Sequence, residues 1–69
     1  MEEFSVRLLD KSYRIEPQEN GTFRVFDKDE KIGVIYPVVA DQGEEWETMD
    51  ELEEGFVSQI GELISEHNM

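Results

Sequence analysis

The sequence predicts an α+β fold in which an antiparallel β-meander of four or five strands packs one face against a single C-terminal helix. Apolar and polar residues alternate through the first two-thirds of the chain, and turn residues interrupt them, which is typical of half-buried strands. The last third changes to the period of an amphipathic helix. The 69 residues suffice for one domain, 1–69, with a small core.

The first hairpin is predicted over strands at about 3–9 and 12–16. Asp10-Lys11 interrupts the alternation and is read as a two-residue turn. With this turn, Val6 opposes Ile15, and the apolar side chains of both strands meet on one face.

The third strand is predicted at about 22–26, after a three-residue loop in which Gly21 takes a left-handed bulge position. This register places Ile15 opposite Val25, whereas a two-residue Asn-Gly turn would slip the strand and turn its apolar side chains to the wrong face. The fourth strand, at about 31–36, follows a polar loop. We expect Val25 opposite Ile32, with Val34 also facing the helix.

The stretch after the fourth strand is the least regular. Pro37 has no N–H group and marks an edge position or the end of the strand. A turn at about 41–43 precedes a short fifth strand at 45–47 that the pattern leaves open. The same pattern leaves open whether Trp46 lies in the core or at a binding edge.

The helix is predicted at about 49–66. Thr48 and Glu51 have the spacing of a capping box, and acids crowd the first turn. Gly61 lies at the edge of the apolar arc, where it would allow close packing. We expect Phe56→Ala to cost ~3–5 kcal/mol if this side chain is in the core. The apolar arc consists of Met49, Leu52, Phe56, Val57, Ile60, Leu63 and Ile64.

The composition excludes several classes of function. The chain has 18 acidic and 6 basic residues and a formal net charge of −12, which opposes binding to nucleic acid, itself a polyanion. There is no cysteine, so disulfide frameworks, zinc–thiolate clusters and thiol nucleophiles are impossible. No apolar run approaches the ~20 residues that cross a bilayer. We therefore expect no nucleic acid, membrane, metal or cofactor as a ligand.

Residues with chemical potential have simpler interpretations. The segment from Asp27 begins like a calcium loop, but Lys31 and Ile32 stand where that loop needs an oxygen ligand and a glycine. Glu53 is interpreted as a boundary residue whose acid group reaches water. His67, the one histidine, is interpreted as a helix-end cap or tail residue. Since no nucleophile–base pair can be assembled, an enzyme is not expected.

The sheet face opposite the helix is the leading candidate for interaction, because nothing in the chain is left to cover it. In the predicted registers Arg7 and Arg14 lie directly opposite each other on this face. The candidate surface consists of Arg7, Arg14, Arg24, Phe26 and Ile35. Arginine and aromatic residues are enriched at protein interfaces, although an ordinary solvated sheet face is the simpler alternative.

Two functions stay open. The first is a small non-enzymatic module that binds a protein, or another copy of itself, through this face. The alternative is an acidic mimic of nucleic acid that occupies a basic groove on a partner and presents Glu51, Glu54, Glu62 and Glu66. Because Met1 is followed by Glu2 and Glu3 rather than by a basic start and an apolar stretch, we expect no signal peptide and a cytoplasmic location.

Overall fold

A computed structural model describes residues 2–68 and confirms the α+β fold: a curled, five-stranded antiparallel sheet with one C-terminal helix. The strands follow one another in space in chain order, so the sheet is a meander and its fifth strand is formed. The elements are β1 (Phe4–Leu8), β2 (Lys11–Pro17), β3 (Phe23–Asp27), β4 (Glu30–Ala40), β5 (Gly43–Thr48) and α1 (Glu54–His67).

The β1–β2 hairpin turns one residue earlier along the chain than predicted. Leu9 and Asp10 form the turn, so Val6 pairs with Tyr13 rather than with Ile15. Each β1 residue thus pairs with a β2 residue two positions earlier than predicted. This shift keeps each side chain on its predicted face, since the side-chain period of a strand is two. Lys11 thereby becomes a strand residue and forms an ion pair of 3.0 Å with Asp27 across the sheet.

The β2–β3 hairpin confirms the predicted register. Ile15 pairs with Val25, and the pairing ends before a three-residue loop closed by a hydrogen bond of 2.9 Å from the Gln18 N–H to the Thr22 carbonyl. Gly21 has a φ of 85°, the left-handed conformation that glycine adopts without strain. The Asn20 carboxamide oxygen accepts from both the N–H and the hydroxyl of Thr22.

A β-bulge in the β3–β4 pair reverses the predicted facing of β4. Phe26 pairs with Lys31 as expected, but Val25 pairs with Gly33, so Ile32 is the extra residue. The prediction that Ile35 lies on the uncovered face is therefore wrong: Ile35 faces the helix and is 0% exposed. Gly33 suits this arrangement, because it leaves room for the Leu52 side chain: a Cβ there would lie 2.7 Å from Leu52 Cδ1.

The helix begins at Glu54, later than predicted, and the predicted capping box is wrong. The Thr48 hydroxyl donates to the Val34 carbonyl at 2.7 Å, and the Asp50 carboxylate accepts from the Val34 N–H at 2.8 Å. These side chains satisfy the β4 backbone where β5 leaves it, so they are not free to start a helix. Met49, expected on the apolar arc, is 91% exposed.

The core lies between the sheet and α1. Phe56 is only half-buried and packs edge-to-face on Tyr13. The most deeply buried side chains of the helix are those of Val57, Ile60 and Ile64. Trp46 is half-buried beside the core, where its indole lies against Gly61, which confirms the close packing predicted there. The Phe4 and His67 rings stack at 3.8 Å and join β1 to the end of α1. The buried core residues are Val6, Tyr13, Ile15, Val25, Ile35, Val57, Ile60 and Ile64.

Candidate interaction surfaces

The sheet face away from α1, here called the outer face, has three parallel zones. The cationic flank lies on β1–β3 and consists of Arg7, Arg14 and Arg24, with Phe26 and the carboxylate of Glu16 among them. The acidic flank lies on β5 and consists of Glu45 and Glu47. Between the flanks runs an apolar row on β4, made of Val34, Tyr36 and Val38.

Arg14 is held in place on the cationic flank. Its guanidinium lies 4.3 Å from the centroid of the Phe26 ring, which is within the range of a cation–π contact. The carboxylates of Glu3 and Asp29 lie 3.6 and 3.7 Å from its nitrogens. Its Nε is nevertheless buried without a hydrogen bond. Arg14 thus lies against Phe26, with a buried Nε donor that has no hydrogen-bond partner.

The other two arginines differ in their surroundings. Arg24 donates to the Glu16 carboxylate at 2.8 Å, from the neighbouring strand. Arg7 is exposed and pairs with Ser12. The prediction that Arg7 lies directly opposite Arg14 is wrong, because the β1–β2 register places the two arginines diagonally and so relieves their repulsion.

Of the five residues predicted for this face, four lie on it and Ile35 does not. The prediction that Val34 faces the helix is wrong, and sequence reasoning did not single out Tyr36 and Val38. All three occupy the outer face because the bulge turns every later residue of β4 over. Their alternation along β4 was visible in the sequence, but the facing of the strand was not, since Ile35, Pro37 and Val39 make the opposite set equally apolar.

A groove of about 990 Å³ forms a second surface feature, between β5 and α1. Its apolar lining comes from Trp46, Leu52 and Val57, and no lysine or arginine lines it. The Ser65 hydroxyl donates to the Glu44 carboxylate at 3.0 Å and bridges helix and strand. The carboxylates that line the groove include those of Glu44, Glu45, Glu47, Glu54, Glu62 and Glu66.

Other chemical features of residues 2–68 are few. No group of three or more His, Cys, Asp or Glu side chains in this part of the chain could hold a metal ion. Nor does the same stretch contain a helix that is long and apolar enough to cross a membrane. The pKa of Lys11 is raised because Asp27 accepts a hydrogen bond from its ammonium group. Glu53 and His67 are exposed, and Glu53 precedes the helix without capping it.

No protein-family model, curated protein or solved structure matches this chain.

Proposed function

We propose that this protein is a small non-enzymatic interaction module whose outer face binds another protein surface. The apolar row on β4 carries the proposal, because no element among the described residues covers it. A sheet face that only contacts water is normally polar. Here Val34, Tyr36 and Val38 follow one another along the central part of the face, with charged residues on both sides.

The partner that this face fits best is a second copy of the chain. A two-fold axis along β4, in the plane of the interface, places the cationic flank of one copy over the acidic flank of the other. The two apolar rows then face each other, and the oppositely charged flanks of the two copies meet. The surface is thus complementary to itself, as an isologous contact requires. Arg24 and Glu47 are offset by two residues along the strands, about 7 Å, which an arginine side chain spans.

Pre-positioned side chains favour such an interface. Arg14 is held by Phe26, and Arg24 is held by Glu16, so both lose less side-chain entropy on binding than free arginines do. Arginine also binds carboxylates through two parallel hydrogen bonds, which would fix the orientation of the partner.

Tyr36→Lys tests the proposal, with Val39→Lys as the matched control. Both residues lie on β4, but Val39 is exposed on the opposite face of the sheet from Tyr36 and so lies outside the outer face. Sedimentation equilibrium of the wild type should show a dimer whose dissociation constant rises with salt. Tyr36→Lys should abolish it, and Val39→Lys should not.

The double variant Arg14→Glu with Phe26→Ser should also abolish association and leave the fold intact, because both side chains point away from α1. A wild type that captures a different protein through the outer face, and stays monomeric, would support the module and reject the second copy as its partner. A wild type that is monomeric at millimolar concentration, and whose cellular partners all tolerate the double variant, would reject the module.

A second proposal is the acidic mimic of nucleic acid, with Glu54, Glu62 and Glu66 exposed on α1 and Glu51 exposed before it. Because these four residues precede or lie on one helix, their negative charges are concentrated on one part of the surface. A mimic should lose its partner steeply with salt, whereas binding through the outer face should survive moderate salt. The proposed location is the cytoplasm, which imaging of the tagged protein in its source cell would test.

A further inference from the structure

We propose that the unpaired edge of β5 binds an extended, lysine- or arginine-rich peptide segment as a sixth strand of the sheet. This inference shares Glu45 and Glu47 with the acidic flank of the proposed function, but it concerns the unpaired edge of β5 and the groove beside α1 rather than the apolar row, so the two can fail separately. It begins from the sheet order, in which β5 is the last strand and pairs only with β4 among residues 2–68. Every second residue of such a strand directs its N–H and C=O groups outward, where they can pair with another chain.

The groove runs along this edge rather than over one face of the sheet. Along β5, Glu45 and Glu47 lie on the outer face, whereas Glu44, Trp46 and Thr48 lie on the opposite face of the sheet. Successive side chains of a strand point to opposite faces. Because consecutive residues of both parities line the same groove, the groove lies beside the strand and follows its unpaired backbone groups.

The size of the groove suits a short extended segment. β5 has six residues, so an added strand of the same length would span ~20 Å. The groove volume of about 990 Å³ is at the upper end of the range of binding pockets. Gly61 allows the Trp46 indole to pack closely against α1, and Trp46, which also contacts the Phe23 ring, lines the groove.

The charges select a cationic occupant. An added strand would alternate its side chains between Glu45 and Glu47 on one side and Glu62 and Glu66 on the other, and no basic residue in the groove competes. Opposite charges across neighbouring strands attract, and like charges repel. The same carboxylates repel the equivalent edge of a second copy, which excludes self-pairing at this site. Trp46 adds a ring over which a lysine or arginine cation can sit.

The probe for the test is the blocked hexapeptide Arg-Val-Arg-Val-Arg-Val, and Trp46 provides the signal because it is the one tryptophan of the chain. Titration should change the Trp46 fluorescence and shift the backbone amide resonances of β5. N-methylation of alternate peptide bonds, on the side that faces β5, should weaken binding at least tenfold, because it removes the hydrogen bonds to the edge. The acidic analogue with glutamate in place of arginine should not bind.

Glu62→Gln combined with Glu66→Gln should weaken binding of the hexapeptide up to about tenfold at low salt. The matched control is Glu2→Gln with Glu19→Gln, which removes the same charge at exposed sites outside the groove and should change affinity less than twofold. These variants lie outside the outer face, so a failure here leaves the proposed function untouched.

Three results would overturn the inference. The N-methylated peptide could bind as tightly as its parent, which would show attraction by charge without strand pairing. The two double variants could weaken binding equally, which would show that net charge, and not the groove, is recognised. The amide shifts could cluster away from β5, which would place the binding site elsewhere.

Discussion

Alanine at Gly61 should destabilise the protein, although the same change normally stabilises a helix. Gly61 is buried in α1, and an added Cβ would overlap the base of the Trp46 indole at Cγ and both Cδ atoms. The Cγ atom is positioned by rotation about the Cα–Cβ bond alone, and the Cδ atoms by one further bond, so the ring cannot avoid the methyl group by a small motion of its tip. Either the whole indole rotates out or the helix moves away from β5.

The magnitude is the difference of two opposing effects. Replacing glycine by alanine inside a helix gains up to ~1 kcal/mol from propensity. Overpacking a filled site costs ~1–3 kcal/mol. We therefore expect Gly61→Ala to lower the free energy of unfolding by ~1–2 kcal/mol. In a chain of this size each kcal/mol corresponds to a change in Tm of ~4–8 °C.

The assay is thermal and urea unfolding followed by circular dichroism, with Gly55→Ala as the control in the same helix. Gly55 is exposed, and an added Cβ would meet nothing within 4 Å, so this change should raise the Tm or leave it unchanged. A second background, Trp46→Ala, removes the obstructing ring. There Gly61→Ala should become neutral or stabilising, so that the sign of the effect reverses.

Two results would refute this reasoning. If Gly61→Ala stabilises the wild type as much as Gly55→Ala does, the indole does not occupy the space beside Gly61. If Gly61→Ala destabilises equally with and without Trp46, the cost arises from the helix itself or from another neighbour. A sulfate-containing buffer, which strengthens burial, keeps the Trp46→Ala background folded for the comparison.

Other substitutions and conditions test the core, the strand end and the charge. Ile60→Ala should cost ~2–5 kcal/mol because its side chain is fully buried, and Phe56→Ala should cost less because its ring is half-exposed; urea titrations of both variants would rank them. Asp50→Ala should cost ~0.5–1.5 kcal/mol by removing the acceptor for the Val34 N–H, and faster hydrogen exchange at that amide would identify the cause. The Tm should rise from low salt to ~0.1 M salt because the net charge of −12 opposes the compact state; a flat or falling Tm would contradict this.

The sequence predicted the strands and their order because local patterns determine them. The polar loop before Thr22 has one register that keeps Ile15 and Val25 on the same face, and the structure has this register. The spacing of apolar residues likewise predicted the buried face of the helix from Val57 onward. These elements are determined by residues that lie near one another in the chain.

The errors occur where distant residues decide the local structure. The bulge at Ile32 turns Gly33 toward the helix side, where the side chain of the distant Leu52 lies over it. Thr48 and Asp50 have the composition of a helix start, but they are used by the backbone of Val34. No short window of sequence contains both partners of either contact.

The candidate surfaces were predictable to different degrees. The arginines of the outer face follow from alternation in β1–β3, which no bulge disturbs. The apolar row on β4 was assigned to the wrong face, because both sides of that strand are apolar and the bulge was not foreseen. The groove was anticipated only in part: the sequence left open a binding edge at Trp46, but it did not show that Trp46 packs on Gly61 and so brings the acidic strand and the acidic helix together.

The stacked rings of Phe4 and His67 bring the first strand and the end of the helix side by side. A polypeptide that enters and leaves at one point can be spliced into a surface loop of a host protein without forcing the ends of that loop apart. The same proximity permits a short linker to join the two ends and a new opening at the exposed Asn20-Gly21 turn. The fold is therefore suited to insertion into a host protein. A host that carries it would display both the outer face and the β5 edge.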